Sequence, residues 1–197
     1  MGDDAVMSSS TAERTRPGRS GILDAATRLF AAQGVSGTSL QQIADAAGIT
    51  KAAVYHHFPT KEQVVAAVLA PALEAIDAIV RTAGAHEGSR AITEAAIIGL
   101  ADQAVTHRGR WAVLLQDAAV EEYVRNHPDH DELFTRLRAL LTGPDPAPAT
   151  RLQVAIFLSG LLGPAQDPSC ADIDDDALRA GIVQAGRRLL LLDEPPA

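Results

Sequence analysis

The chain has one cysteine, Cys170, so no intrachain disulfide can form and nothing points to an oxidising compartment. Aromatic side chains make up only 4% of it, and β-branched runs are short. Alanine and leucine dominate instead, which favours helix over sheet and predicts an all-α fold. The N-terminus lacks the apolar stretch of a secretory signal, and no apolar run approaches the roughly 20 residues of a membrane span. A cytoplasmic protein is expected. There is no Gly-rich phosphate loop, no GxSxG elbow and no Cys/His pairing at ligand spacing. The chain is therefore expected to be no enzyme and to carry no cofactor.

Positive charge is also scarce: 17 basic residues stand against 25 acidic ones, a net of −8. That balance argues against a nucleic-acid partner until its distribution is considered. From Arg14 to Lys61 six basic residues (Arg14, Arg16, Arg19, Arg28, Lys51, Lys61) face only Asp24 and Asp45, a net of +4. From Glu62 onward eleven basic residues meet twenty acidic ones, a net of −9. A basic head on an acidic body suits a chain that touches phosphate with one end only. A hydrophobic content of 47% is ample for a packed core, and 197 residues suit one or two small domains.

The best-specified stretch is Thr38 to Lys61, TSLQQIADAAGITKAAVYHHFPTK. Ser39 is an N-cap residue, and Gln42 three places on completes a capping box. Leu40, Ile43, Ala44 and Ala47 then share one helical face. Gly48 permits a sharp turn, and Thr50 caps a second helix that buries Val54 and Phe58. Lys51, Ala52, Tyr55 and His56 are left facing outward. Pro59 ends this helix, and Thr60 with Gln63 repeats the cap for the next. The pattern is a helix-turn-helix, whose short second helix suits a major groove. Lys51 can reach guanine acceptors or a phosphate, and Ala52 or Ala53 a thymine methyl.

The run Tyr55-His56-His57-Phe58-Pro59-Thr60-Lys61, preceded by Ile43-Ala44 and Ala47-Gly48-Ile49, resembles the DNA-binding domain of the TetR (tetracycline-repressor) family. The likeness begins near Ile22 and fades after about Ala70. It implies phosphate contacts from Tyr55, His56, Lys61 and the Ser39 region, and base-edge contacts from Gln41 and from Thr50 to Ala53. Many members carry Arg or Lys just before the Ile-Ala pair, where this chain has Gln41 and Gln42. That departure weakens attraction to the backbone there, but glutamine can pair with adenine.

The remainder divides into an arm (1–20), a helix-turn-helix domain (21–66) and a helical ligand-binding and dimerisation domain (67–197). Arg14, Arg16 and Arg19 in the arm either track a minor groove or sit on a solvated tail. Ile22 to Gln33 is read as the first helix, with Ile22, Leu23, Ala26, Leu29 and Phe30 in one stripe. Thr60 to Ala83 is one long helix, kinked by Pro71, and the sole element expected to touch both ends of the molecule. Arg90 to Thr106 presents Ile92, Ala96, Gly99, Leu100 and Gln103 on one side. Further helices run from Trp111 to Arg125 and from Pro128 to Leu141.

Leu152 to Leu162 is apolar almost all round, and Ala177 to Leu192 has two apolar sides. Helices of that kind are covered on every side, either by a second subunit or by a monomer core that uses both faces. The family resemblance implies the former, a four-helix dimer interface.

Trp111, Leu115, Gln116, Tyr123, Phe134 and Phe157 are candidates for the wall of a small-molecule cavity. His127, His130 and the nearby carboxylates have a metal-like spacing, which acidic first-turn residues of a helix explain more simply, so no metal is expected. Asp172 to Asp176 reads as an acidic cap on the last helix. Two functions stay open. One is a ligand-released repressor, reading a palindromic DNA operator as a homodimer. The other is a small-molecule-binding or catalytic helical protein in which DNA binding is secondary.

Overall fold

A computed structural model of the chain describes residues 18–107, 117–161, 163–165 and 167–190. Among them are nine α-helices, two short 3-10 turns and no strand. The helices are α1 (Arg19–Gln33), α2 (Leu40–Ala47), α3 (Lys51–His57), α4 (Lys61–Gly84) and α5 (Ser89–Thr106), followed by α6 (Ala118–Arg125), α7 (Pro128–Thr142), α8 (Pro148–Gly160) and α9 (Asp175–Leu190). The fold is all-α, as composition predicts. Two helices begin earlier than the sequence pattern places them: α1 at Arg19 rather than Ile22, and α8 at Pro148 rather than Leu152. Proline suits the first turn of a helix, where its missing N–H has no partner to lose.

Two hydrophobic cores organise the molecule. The first gathers Ile22, Ala26 and Phe30 of α1, Leu40 and Ile43 of α2, Val54 and Phe58 at α3, and Val64, Val65, Val68 and Leu69 of α4. Val120 of α6 joins them from far along the chain. The second begins at Ile76 of α4 and takes in Ile97 and Leu100 of α5, Leu133, Leu137 and Leu141 of α7, Val154 and Phe157 of α8, and Leu178 and Ile182 of α9. Along α4 the two cores are separated by the turn that contains Pro71, itself exposed.

By length and composition α4 is apolar enough to cross a bilayer, contrary to the expectation that no run reaches that length. Its apolar side is divided between the two cores, and Glu62, Glu74, Asp77 and Arg81 lie along it. That is the composition of a core helix.

The buried face of α5 is Thr93, Ala96, Ile97, Leu100 and Ala101, rotated from the expected stripe of Ile92, Ala96, Gly99, Leu100 and Gln103. Thr93 turns inward because its hydroxyl donates to the Leu140 carbonyl of α7 at 3.1 Å, so its polar atom is satisfied. Close helix contact in the body relies on Gly186 of α9, where a Cβ would stand 2.7 Å from Ile97 and 2.9 Å from Phe157. Arg179 pairs with Asp102, and Arg187 with Glu94, tying α9 to α5 at the surface.

Candidate nucleic-acid interface

The exposed surface of α2 and α3 is positioned by local hydrogen bonds. Ser39 Oγ accepts from the Gln42 N–H at 3.2 Å, and Gln42 Oε1 accepts from the Ser39 N–H at 2.8 Å, completing the capping box. Gly48 adopts φ +67°, the left-handed conformation that turns α2 into α3 within three residues. Thr50 Oγ1 accepts from the Ala53 N–H at 3.2 Å, and Thr60 Oγ1 accepts from the Gln63 N–H at 3.3 Å. Each cap fixes where its helix starts, and therefore which side chains face out.

Val54 is fully buried and Phe58 nearly so, which pins α3 by one side. Lys51, Ala52, Tyr55 and His56 lie on the opposite, exposed side, and Ala53 is half-buried between them. Lys51 Nζ stands 5.6 Å from the centre of the Tyr55 ring, and the His56 ring meets His57 edge-on. Thr50 is exposed at the N-terminus of α3, and Lys61 is half-buried at that of α4. Gln41 is exposed too, but its Nε2 donates to Asp45 Oδ1 at 2.8 Å. Ser39, Gln41, Thr50 to Ala53, Tyr55, His56 and Lys61 thus come from the one unit formed by α1, α2, α3 and the start of α4.

Three contacts at this unit are not visible in the motif. Arg19 lies over the Phe58 ring at 5.0 Å, joining the start of α1 to the end of α3. Thr38 is buried, its hydroxyl donating to the Gly34 carbonyl at 2.8 Å. Asp117, just ahead of α6, accepts the Val35 N–H at 2.7 Å. This last bond corrects the expectation that α4 alone touches both ends of the molecule: α6 does so as well.

The cavity candidates separate. A cavity of about 520 Å³ lies between α4, α5, α6, α7 and α8, lined by Ile76, Leu100, Val120, Val124, Phe134 and Leu137 together with Arg125, Asp131 and Arg138. Phe134 is in its wall. Tyr123 instead lines a groove between α6 and the head, with Val35, Lys61 and His127. Phe157 is buried in the body core. Trp111, Leu115 and Gln116 lie outside the described residues, as do Arg14, Arg16 and Leu192.

On the far side of the body Leu152 and Ile156 are 61% and 52% exposed, large apolar side chains uncovered on one face of α8. Ile156 borders an apolar groove shared by Gly160 of α8 and Gly181, Ala185 and Leu189 of α9.

Residues 22–68 match the family described as bacterial regulatory proteins, tetR family. That stretch of the chain is a TetR-family unit. The match spans most of α1, all of α2 and α3, and the first part of α4, the same unit that carries the exposed face of α3. Among curated relatives, the HTH-type transcriptional regulator SrpR of Pseudomonas putida is 50% identical over 64 residues, 32% of this chain and 30% of that protein. The repressor KstR2 of Mycobacterium tuberculosis is 31% identical over 106 residues, 51% of this chain and 50% of the other. The chain thus spans at most about half the length of these relatives.

Whole-chain likeness is structural. The structure of KstR2 from M. tuberculosis superposes with a TM-score of 0.67 at 20% identity, covering 87% of this chain and 92% of that one. NalD of Pseudomonas aeruginosa, the secondary repressor of a multidrug efflux pump, gives a TM-score of 0.62 at 25% identity, over 89% and 97%. Likeness of fold therefore extends over the body, while most of the sequence likeness lies in the head.

Proposed function

We propose that this protein is a cytoplasmic, non-enzymatic transcriptional repressor, binding a palindromic operator as a homodimer and leaving it when a small molecule enters the body. The observation that carries the reading is α3: a short, capped helix held on one side by Val54 and Phe58 while its other side is wholly uncovered. Such a helix enters a major groove with its first turn toward the bases. Thr50 to Ala53 and Gln41 read base edges in this scheme, and Tyr55, His56, Lys61 and the Ser39 cap hold the phosphates. The division between a reader and a ligand-binding and dimerisation body then falls on α4, at 66–67 by sequence pattern and near Pro71 by the packing of the two cores.

A palindrome needs two readers about 34–36 Å apart. The uncovered face of α8 and α9 supplies the pairing surface, since Leu152 and Ile156 have no cover within one subunit. The cavity beside α4 supplies the ligand site, with apolar walls and a few charged groups to orient a guest. Pro71, between the two cores on α4, is a point where the bend changes without further loss of hydrogen bonds. Ligand and operator then oppose one another by the same factor, with about 1–3 kcal/mol an ordinary coupling.

The test is selection of duplex DNA from a randomised pool by the full chain, followed by affinity measurements across salt concentrations. The expected result is an inverted repeat bound with a steep, linear fall of log affinity against log salt. Enrichment of no sequence, with a flat salt response, would end the repressor reading.

A further inference from the structure

Two glutamines stand side by side in the first turn of α2, and their amides are committed in opposite senses. Gln42 Oε1 accepts the Ser39 N–H at 2.8 Å, so its acceptor is used in the cap. Gln41 is exposed, and it is the other end of its amide that is held: Nε2 donates to Asp45 Oδ1 at 2.8 Å. Residues 41 and 45 are four apart, where side chains of one helix lie one above the other.

The sense of the bond at Gln41 is fixed by chemistry. An ionised carboxylate can only accept, so the amide end beside Asp45 is the NH2 group. Oε1 is then the end turned away, with a second Nε2 hydrogen still to give. Asp45 is also the only acidic residue in α2 or α3. A negative charge on this surface weakens attraction to phosphate, so backbone binding does not account for it.

Base edges in the major groove tell the two amide ends apart. Adenine offers a donor at N6 beside an acceptor at N7, which complements an outward Oε1 and a free N–H. Guanine offers acceptors at both O6 and N7, and thymine one at O4, so both meet Oε1 with like polarity. Cytosine supplies the N4 donor alone.

We propose that Asp45 is a positioning residue for sequence readout, holding the Gln41 amide so that it accepts from adenine and rejects guanine. This role rests on the repressor reading, in which Gln41 reaches a base edge.

The test compares the full wild-type chain with Asp45→Asn, Asp45→Glu and Gln41→Ala in selection from a randomised duplex pool. Asparagine has the shape of aspartate but both donates and accepts, so it holds the Gln41 amide either way round. Glutamate keeps the carboxylate and with it the single orientation. Gln41 and Asp45 are both exposed, so none of the three changes disturbs the core. The base pair at which Gln41→Ala loses preference marks the position read by residue 41, and affinities are then measured for duplexes differing only there. The wild type is expected to favour adenine over guanine on the contacted strand about tenfold, an ordinary discrimination for a paired amide contact. Asp45→Glu should keep that ratio, and Asp45→Asn should bring it close to unity. Asp45→Asn also removes a negative charge and so raises affinity for every sequence, which leaves the ratio untouched. An Asp45→Asn chain that keeps the full ratio would overturn the role of Asp45. So would a wild type that favours guanine there, or a Gln41→Ala chain whose preference is unaltered at every position. Those results leave the repressor reading standing, whereas enrichment of no sequence by the wild type would end both.

Discussion

The head and the body are held together in different ways. In the head the helices α2, α3 and α4 each begin at a side-chain cap, from Ser39, Thr50 and Thr60. Its core partners lie mostly within 50 residues of one another. In the body α5, α7 and α8 begin with no capping side chain, although Asp117 and Asp174 cap α6 and α9, and the core joins segments far apart, such as Ile97 and Gly186. Local bonds fix a shape independently of what surrounds it, which a reader of a rigid duplex requires. Packing between distant helices fixes a shape only collectively, so it tolerates a cavity and more than one arrangement.

If the two cores are distinct, cutting one should spare what the other does. Phe30, 1% exposed, lies at the centre of the head. Phe30→Ala is expected to cost about 3–5 kcal/mol in urea denaturation and to abolish DNA binding, while sedimentation still reports a dimer. A dimer lost along with the head would show that the cores are one unit.

Next in size is Gly160→Leu on the uncovered face. A Cβ at Gly160 meets nothing within 4 Å in the protomer, so the subunit itself should tolerate the change within about 0.5 kcal/mol. A partner covering that face would not. Sedimentation at micromolar concentration should then show a stable monomer that no longer binds a palindrome. Unimpaired dimerisation would place the interface elsewhere.

A smaller effect separates contacts within the head. Lys61→Ala should weaken binding to all sequences alike and lower the salt slope by about one, as expected for one phosphate contact. Tyr55→Phe should weaken binding with the slope intact. Gln41→Ala should change which sequence is preferred, and a uniform loss with preference retained would remove Gln41 from base reading.

How much of this was readable in sequence follows the same division. Caps and turns are written within four residues, so sequence alone places Ser39 with Gln42, Gly48, Thr50 and Thr60. The α5 face differs from its expected stripe because Thr93 is polar by type, and only its distant partner, the Leu140 carbonyl, lets it turn inward. Helices rich in alanine and glycine also give weak contrast between faces. Phe157 packs in the core beside Gly186 and also lines the apolar groove between α8 and α9, a double placement that its residue type alone does not reveal. The Asp117–Val35 bond spans 82 residues and has no local signature; only folding brings its two ends together.

The smallest expected effect belongs to the body alone. His130 of α7 lies beside Tyr123 and His127, with ring centres 5.7 and 5.4 Å away, and its Nδ1 is buried with no hydrogen-bond partner. Burial, and then the neighbouring His127, hold its pKa below the ordinary 6.5, while Asp129 pulls the other way. A histidine whose folded pKa is depressed binds its proton more readily in the unfolded chain. Stability from this site is therefore intact above about pH 6.5 and declines as pH falls toward the lower folded value. Melting of the wild type at pH 7.5 and 5.5 should show a small drop at the acid end, about 2 °C or less from this site. His130→Leu should remove that part of the drop. A difference between the two pH values as large in His130→Leu as in the wild type would assign the acid sensitivity to another group.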